Sequence, residues 1–246
     1  MTEAALLVDL GNRALKAAIF PSGPLPACVL DWQPCVSRFP ATDIGLAQFA
    51  EWAGENAAGL SVVLASVNPV AWRALSACFA PSSLRVVTSH NIPMVVKSSG
   101  SGIDRLLAGW AAFSFCKEAV VVADLGTAFT LDVVDEQGCF CGGAIGPGLG
   151  VQQQALAGAC PHLAAPSALP ADEPRTTAQA TAFGTLAALA ASLEGLASRF
   201  APDAVRVLTG GDAATMQPWM TSEWRFEPDL VLRGLAAWWH KIGCKE

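Results

Sequence analysis

Two apolar runs that end in a Gly turn form the strongest pattern in this chain. Ala4–Asn12 reads AALLVDLGN, and Ala119–Thr127 reads AVVVADLGT. A second apolar segment follows each run, at Ala14–Phe20 and at Phe129–Val134. Continuous apolar runs of this length are typical of buried strands, and glycine permits a tight turn between strands. The pattern therefore predicts a repeated unit of buried strand, tight turn and antiparallel return strand.

Strand-like and helix-like segments alternate after the first copy. Strands are predicted at Ala27–Val36, Ser61–Ala65 and Leu84–Val87, and helices at Ile44–Ala57, from Pro69 onward and at Asp104–Cys116. Alternation of this kind indicates an α/β unit.

Strand-like and helix-like segments also alternate in the second copy. Strands are predicted at Gly138–Ile145 and Val205–Leu208, turns at Gly146–Gly148 and Thr209–Ala213, a loop at Cys160–Pro174 and a final helix at Asp229–Trp239. A long helix is predicted at Thr177–Phe200, broken or bent near Gly184 and Gly195. We expect two α/β domains, residues 1–118 and residues 119–246.

Composition narrows the class of protein. The chain has 246 residues, of which 52% are hydrophobic and 15% charged, so we expect a large core or a core with a buried subunit interface. A net charge of −6 without a Lys/Arg cluster argues against a nucleic-acid partner. No signal peptide or membrane span is predicted, and the protein is expected to be cytoplasmic. Eight scattered cysteines without a CxxC pair indicate reduced thiols, and Cys139 with Cys141 lacks the further ligands that zinc needs.

The two Asp-Leu-Gly turns are candidate phosphate clamps. Asp9 ends a predicted strand, where a carboxylate can hold a hydrated divalent cation, and Asn12 can donate to a phosphate oxygen. Asp124, Gly126 and Thr127 repeat this arrangement. The alternative for each copy alone is an ordinary hairpin turn, but two copies facing one cleft would hold a phosphate chain from both sides.

Two further segments precede helices. In Gly102–Arg105, Asp104 is a candidate general base and Arg105 a candidate clamp for a carboxylate or phosphoryl group; an N-cap Asp with an exposed Arg is the alternative. Thr209–Asp212, with Gly210 and Gly211, suits a nucleoside contact, and Asp212 is equally a candidate N-cap.

Together these segments resemble the type III pantothenate kinase family, which includes Bvg accessory factors. The matching stretches, in the family's order, are DLGNRALKAAIF, LASVNP, GSGIDRLLAGWAA, DLGTAFTLDVVDEQGCFCGGAIGPGL, TTAQATAFGT, TGGDA and EPDLVLRGLAAW. The resemblance implies two tandem ribonuclease H-like (actin-like ATPase) domains with a central cleft. It also implies transfer of the γ-phosphoryl group of ATP to pantothenate, the first step of coenzyme A synthesis, by a homodimer that needs a monovalent cation.

The resemblance also implies roles for individual residues. Asp104 would be the general base and, with Gly102, Ile103 and Arg105, would contact pantothenate, while Thr177 would reach pantothenate across the dimer interface. Asp124 would bind potassium or ammonium, and Asp9 would bind Mg²⁺. The residues implied to contact ATP are Asp9, Leu10, Gly11, Asn12, Arg13, Ala14, Leu15, Lys16, Thr127, Gly210 and Gly211.

Departures from the family pattern define a rival function. Arg13 stands where the family has Ser or Thr, and Val95 is near the place of a substrate-contacting Tyr, a residue this chain lacks entirely. The rival is a degenerate kinase-fold protein that acts as a regulator or binding module. A sugar kinase or phosphatase of the same superfamily is disfavoured, because such enzymes usually have a larger substrate domain.

Overall fold

The computed structural model describes residues 3–23, 31–163 and 173–243. The chain divides into two compact units. The first unit comprises Met1–Lys117, Gly138–Phe140 and Asp229–Glu246, and the second comprises Glu118–Gln137 and Cys141–Pro228. Each unit combines segments that are separated in the sequence. The two sequence-continuous domains expected at residues 1–118 and 119–246 stay a prediction.

The first unit contains a five-stranded mixed sheet of order β3-β2-β1-β4-β5. The strands are β1 (Ala5–Leu10), β2 (Ala14–Phe20), β3 (Ser37–Pro40), β4 (Ser61–Ser66) and β5 (Leu84–Val86). The helices of this unit are α1 (Asp43–Asn56), α2 (Pro69–Ser76), α3 (Ile103–Cys116) and, from the end of the chain, α7 (Leu230–Trp238). β1 is antiparallel to β2 and parallel to β4, and its side chains are almost entirely buried.

Helices α3 and α7 are apolar on nearly every face and pack against each other. A Cβ atom at Gly234 of α7 would lie 2.6 Å from the backbone oxygen of Leu107 in α3, so glycine is what permits this close approach. Helices buried on all sides are typical of the interior of a domain. Helix α7 therefore completes the core of which β1 is a part.

The second unit contains a five-stranded sheet of order β10-β9-β6-β7-β8. Its strands are β6 (Val120–Leu125), β7 (Ala128–Val134), β8 (Phe140–Pro147), β9 (Val205–Thr209) and β10 (Arg225–Phe226). The helices of this unit are α4 (Leu149–Ala159), α5 (Thr177–Phe200) and α6 (Ala213–Met216). β6 is antiparallel to β7 and parallel to β9.

The two sheets share one topology, which confirms the repeat predicted from the sequence. In each, the first strand of the unit is central, its hairpin partner and the third strand lie on one side, and two strands reached by crossovers lie on the other. The hairpin loops differ in length: residues 11–13 join β1 to β2, whereas residues 126–127 join β6 to β7. The α/β class is confirmed with the repeat.

Two local predictions were wrong. The strand expected at Ala27–Val36 is absent over residues 31–36, and residues 27–30 lie outside the described ranges. Pro34 has no N–H to give to a ladder, and the edge strand β3 begins only at Ser37. Helix α5 is continuous from Thr177 to Phe200, because a glycine inside a helix costs only about 1 kcal/mol and this helix has a long packed face.

Among the described helices, α5 is long and apolar enough to cross a membrane by length and composition. Of its most apolar stretch of 18 residues, 39% is buried. A core helix of a soluble protein meets the same criterion. Its partly exposed apolar side chains include Phe183 and Phe200.

Candidate active site

Asp9 lies near the carboxyl end of β1, and Asn12 lies in the turn between β1 and β2. The backbone N–H of Gly11 donates to the oxygen of Ala14 at 3.0 Å and closes the hairpin. Asp9 is half-buried, whereas Asn12 and Arg13 are exposed. The backbone oxygen of Arg13 accepts from the N–H of Ala41 at 2.9 Å, so the loop is held against the segment that directly precedes α1. The loop therefore presents polar side chains from a fixed backbone.

Lys16 lies one strand away, on β2, opposite Asp9 in the antiparallel register. Its Nζ atom is 3.4 Å from Oδ1 of Asp229, which also accepts a hydrogen bond from Arg38 at 3.0 Å. Asp229 has a φ of 54° and stands directly before α7. Lys16 thus links β2 to the residue directly before α7. The sequence pattern did not predict this contact.

Asp104 lies in the first turn of α3, and the N-cap of this helix is Gly102. The Oδ1 atom of Asp104 accepts from the backbone N–H of Arg105 at 2.8 Å. The alternative interpretation, an Asp at the N-cap position, is therefore wrong, although the carboxylate does satisfy one N–H of the first turn. The guanidinium of Arg105 lies 5.9 Å from the ring centre of Phe140, so its plane is supported by an aromatic side chain.

Val67 joins the Asp104 segment to the hairpin of Asp9. Its N–H donates to the oxygen of Leu10 at 3.2 Å, immediately after Asp9. A Cβ atom at Gly102 would lie 3.3 Å from Cγ1 of Val67 and 2.4 Å from Oδ1 of Asp104. The carboxyl ends of β1 and β4 and the start of α3 therefore converge within one unit. Val67 belongs to the stretch LASVNP, which resembles the family, but the sequence did not predict its contact with Leu10.

The second unit repeats the arrangement around Asp124. This half-buried residue is opposite Thr130 of β7 and Thr209 of β9 in the sheet register. The N–H of Gly126 donates to the oxygen of Ala128 at 3.1 Å, and Thr127 is exposed at the tip of the turn. The predicted clamp residues of this copy thus lie at a strand end and its turn, as those of the first copy do.

The segment Thr209–Asp212 folds over the end of β6. Gly210 has a φ of 98°, and a Cβ atom there would lie 2.4 Å from both N and O of Leu125 and 2.5 Å from Oδ1 of Asp124. The N–H of Asp212 donates to the oxygen of Leu125 at 3.0 Å. Only glycine fits this contact, because any side chain would meet both backbone and the Asp124 carboxylate.

Asp212 occupies the N-cap position of α6, but its side chain makes no capping hydrogen bond. Burial raises the pKa of its carboxyl above the ordinary value. The position agrees with the N-cap interpretation, while the side chain does not perform the capping role.

The turn before α4 closes the same side of this unit. A Cβ atom at Gly148 would lie 2.0 Å from the oxygen of Gly126, and the N–H of Gly148 donates to the oxygen of Thr127 at 3.0 Å. Gly148 is also the N-cap of α4. The Gly146–Gly148 segment therefore packs against the turn that follows Asp124. Local turn propensity alone did not predict this contact.

Thr177 is the first residue of helix α5. Thr176 caps the helix with a capping box completed by Gln179. Thr177 lines a cavity of about 530 Å³ together with Gln152 and Leu156 of α4 and Thr181 of α5. Within the second unit, then, Gly210 packs against Asp124, and Thr177 lines a cavity whose lining includes neither of these residues.

Comparison with known structures identifies the fold class as that of the actin-like ATPases and sugar kinases. The chain is similar to a Baf family protein from Campylobacter jejuni, with a TM-score of 0.68 and 19% identity over 97% of this chain and 99% of that one. It is also similar to a glucokinase from an Antarctic psychrotroph, with a TM-score of 0.54 and 13% identity over 98% and 99% of the two chains. At these identities the likeness concerns the fold.

The family model of type III pantothenate kinase matches residues 5–199, and the chain belongs to that family. It is 32% identical to a type III pantothenate kinase from Chromobacterium violaceum over 94% of this chain and 97% of that protein. It is 31% identical to another from Halorhodospira halophila over 95% and 96% of the two chains. The family resemblance drawn from the motifs is thereby confirmed.

Proposed function

We propose that this protein phosphorylates pantothenate with ATP and forms 4'-phosphopantothenate and ADP. Membership of the type III pantothenate kinase family supports this activity. The structural observation that carries it is the convergence, through Val67, of the Asp104 segment with the Asp9 hairpin. A candidate base and a candidate phosphate loop are thus held at one end of one sheet.

In the proposed reaction, the primary hydroxyl oxygen of pantothenate attacks the γ-phosphorus of ATP. The new P–O bond forms as the bond from the γ-phosphorus to the β–γ bridging oxygen breaks, and ADP leaves with that electron pair. The hydroxyl proton goes to the carboxylate of Asp104. Arg105, steadied by Phe140, stabilises negative charge on the acceptor or the transferred group.

The Asp9 hairpin has donors that suit phosphates and a divalent cation. Asn12 is exposed at its tip, and Asp9 provides a half-buried carboxylate oxygen of the kind that Mg²⁺ prefers. Mg²⁺, when bound, neutralises charge on the phosphates. Leu10, Gly11, Arg13, Ala14, Leu15 and Lys16 are proposed to complete this ATP-binding hairpin, with Leu10 and Leu15 acting as its buried anchors.

Asp124 is proposed to hold a potassium or ammonium ion. The turn at Gly210 packs closely against Asp124 and Leu125, and the Asp124 carboxylate and the backbone oxygen of Leu125 offer oxygen ligands there. Thr127, Gly210 and Gly211 are proposed to contact ATP. A carboxylate beside exposed turn backbone is a donor set that fits a hard monovalent cation.

A homodimer is proposed to complete the acceptor site. Thr177 begins α5, whose first turn, residues 177–180, is exposed and contains Ala and Thr, so a second copy can approach closely there. The cavity that Thr177 lines would receive part of the acceptor of the partner. Light scattering at micromolar concentration should give twice the chain mass; a monomer would leave the role of Thr177 without a mechanism.

The activity is tested by ADP release with pantothenate and Mg²⁺ in potassium, ammonium or sodium salts. Pantothenate-dependent turnover that is higher in potassium or ammonium than in sodium is expected. Asp104→Asn serves as the matched control, since it should lower turnover by about 10²–10⁴ and keep the fold. Omission of pantothenate measures any idle ATP hydrolysis.

One observation favours the rival function, a regulator or binding module without kinase activity. Arg13 is exposed in the phosphate hairpin, and Val95, near the place of the missing Tyr, is 62% exposed. Absence of pantothenate-dependent turnover in every salt, with ATP still bound, would support the rival. Arg13→Thr would then test whether the hydroxyl restores turnover.

A further inference from the structure

A cavity of about 450 Å³ lies in the first unit beside the Asp104 segment. Ser66 and Val67 form one wall, Trp72 of α2 another, Thr88 and Ser89 a third, and Gly102 stands at the side of α3. Val67 and Gly102 are also the residues that join the Asp104 segment to the Asp9 hairpin. The cavity therefore opens next to the proposed phosphoryl-transfer site.

The described residues that line this cavity carry no charge. Most of the lining is apolar, and its polar groups include the hydroxyls of Ser66, Thr88, Ser89 and Ser101. A volume of this size suits a small molecule. Such a lining favours an uncharged, branched aliphatic body with hydroxyl or amide groups, which is the chemistry of the neutral part of the proposed acceptor.

The wall formed by Thr88 and Ser89 belongs to a tight turn after β5. Oδ1 of Asn91 accepts from the N–H of Thr88 at 2.8 Å, and Nδ2 of Asn91 donates to the oxygen of Val86 at 2.9 Å. The N–H of Asn91 donates to the oxygen of Thr88 at 3.2 Å. The side chain of Asn91 thus fixes the shape of the turn.

Trp238 ties this turn to the last helix. Its indole N–H donates to the backbone oxygen of Asn91 at 2.9 Å, and the side chain is 3% exposed on α7. Because α7 packs against α3, the same helix supports both the turn and the element that carries Asp104. This hydrogen bond thus links the turn at the cavity wall to the helix that packs against α3.

We propose that Trp238 is a positioning residue that sets the affinity for the acceptor by holding the Thr88–Asn91 wall of this cavity. The inference rests on the proposed kinase function. Trp238 does not touch the reacting atoms, so its loss should weaken acceptor binding and leave the chemical step and ATP binding nearly unchanged.

Trp239 provides a matched control on the next residue. Its indole N–H donates to the backbone oxygen of Glu3 at 2.9 Å, and the side chain is 2% exposed. Glu3 precedes β1 and so lies at the opposite end of the strand from Asp9. Trp239→Phe removes a similar hydrogen bond from the residue that directly follows α7, without touching the cavity wall.

The test compares Trp238→Phe with Trp239→Phe in the full chain. For Trp238→Phe we expect KM and calorimetric Kd for pantothenate to rise about 3- to 10-fold, as one hydrogen bond would give, with kcat and KM for ATP within about twofold. Amide hydrogen exchange should accelerate at residues 88–92. Trp239→Phe should leave acceptor affinity and this exchange unchanged.

Asn91→Asp gives a second route to the same wall, should Trp238→Phe fold poorly. It keeps the acceptor for the Thr88 N–H and removes the donor to Val86, and the residue is exposed. We expect the same selective loss of acceptor affinity. Equal losses in both tryptophan variants, or faster exchange without any change in acceptor affinity, would overturn the inference.

Calorimetry separates this inference from the proposed function. If the parent protein binds pantothenate without turning it over, the kinase proposal fails, and the ratio of Kd values still decides the role of Trp238. If the parent protein binds no pantothenate, both proposals fall.

Discussion

The Oδ1 atom of Asp124 lies where a side chain at position 210 would have to be, since a Cβ atom on Gly210 would be 2.5 Å away. Gly210 also has a φ of 98°, which side-chain-bearing residues rarely adopt. We therefore expect Gly210→Ala to lower the free energy of unfolding by about 1–3 kcal/mol and to weaken ATP binding.

Gly211→Ala is the control for the loss of stability, because a Cβ atom there would have no neighbour within 4 Å. Urea unfolding and ATP titration measure both effects. Equal free energies of unfolding in the two variants would mean that the Thr209–Asp212 turn moves easily, and would remove the support for a cation site beside Asp124.

Asp104→Asn should reduce kcat by about 10²–10⁴, the usual effect of removing a general base. The Asn side chain retains an oxygen that can accept from the N–H of Arg105, so the melting temperature and ATP affinity should stay those of the parent. Steady-state kinetics and thermal unfolding measure the two properties. Turnover within a few-fold of the parent would make Asp104 structural and direct the search for a base to Asp9, Asp124 or a metal-bound water.

Glu194 is the centre of a polar network that joins α5 to the segment before β10. Its carboxylate accepts from Arg206 at 2.6 Å, from the N–H of Thr221 at 2.9 Å and from the indole of Trp224 at 3.1 Å. We expect Glu194→Gln to cost about 1–3 kcal/mol of stability at pH 7, since it leaves half-buried donors poorly paired. Glu223→Gln, at an exposed position, should cost little.

The pH dependence of that loss has a definite sign. Burial opposes ionisation of Glu194, but hydrogen bonds from Ser222, Thr221 and Trp224 outweigh it and hold its pKa below the ordinary value. A carboxylate with a lowered pKa stabilises the fold above its unfolded pKa and loses this effect as the pH falls through its folded pKa. The difference between parent and Glu194→Gln should therefore shrink in acid, and urea unfolding at several pH values measures it. A constant difference would contradict this account.

Asp212→Asn should show the opposite pH dependence. Because burial raises the pKa of Asp212, the folded protein binds a proton more tightly than the unfolded chain, and ionisation costs stability as the pH rises above the unfolded pKa. The variant should thus be more stable than the parent at neutral pH and equal to it in strong acid. Unfolding curves at several pH values test this, and ATP titration of the same variant shows whether the carboxylate contacts the nucleotide.

Local sequence patterns predicted most elements, because apolar runs and turn residues act over a few positions. The two Asp-Leu-Gly hairpins and α5 are examples, and Pro34 marks where such reasoning failed. The site was predicted less completely. The contact of Val67 with Leu10 and the bond from Trp238 to Asn91 join residues 57 and 147 positions apart, and no local pattern encodes such pairs.

The assignment of Asp229–Glu246 to the first unit has a consequence for biosynthesis. β1 leaves the ribosome long before α7, which contacts both β1 and α3. This unit cannot be completed until α7 has been made, since a contact between distant segments cannot form until both exist. A nascent chain halted before residue 229 would expose the apolar surface of α3 that packs against α7, and chaperones that bind such surfaces should retain the chain until α7 emerges.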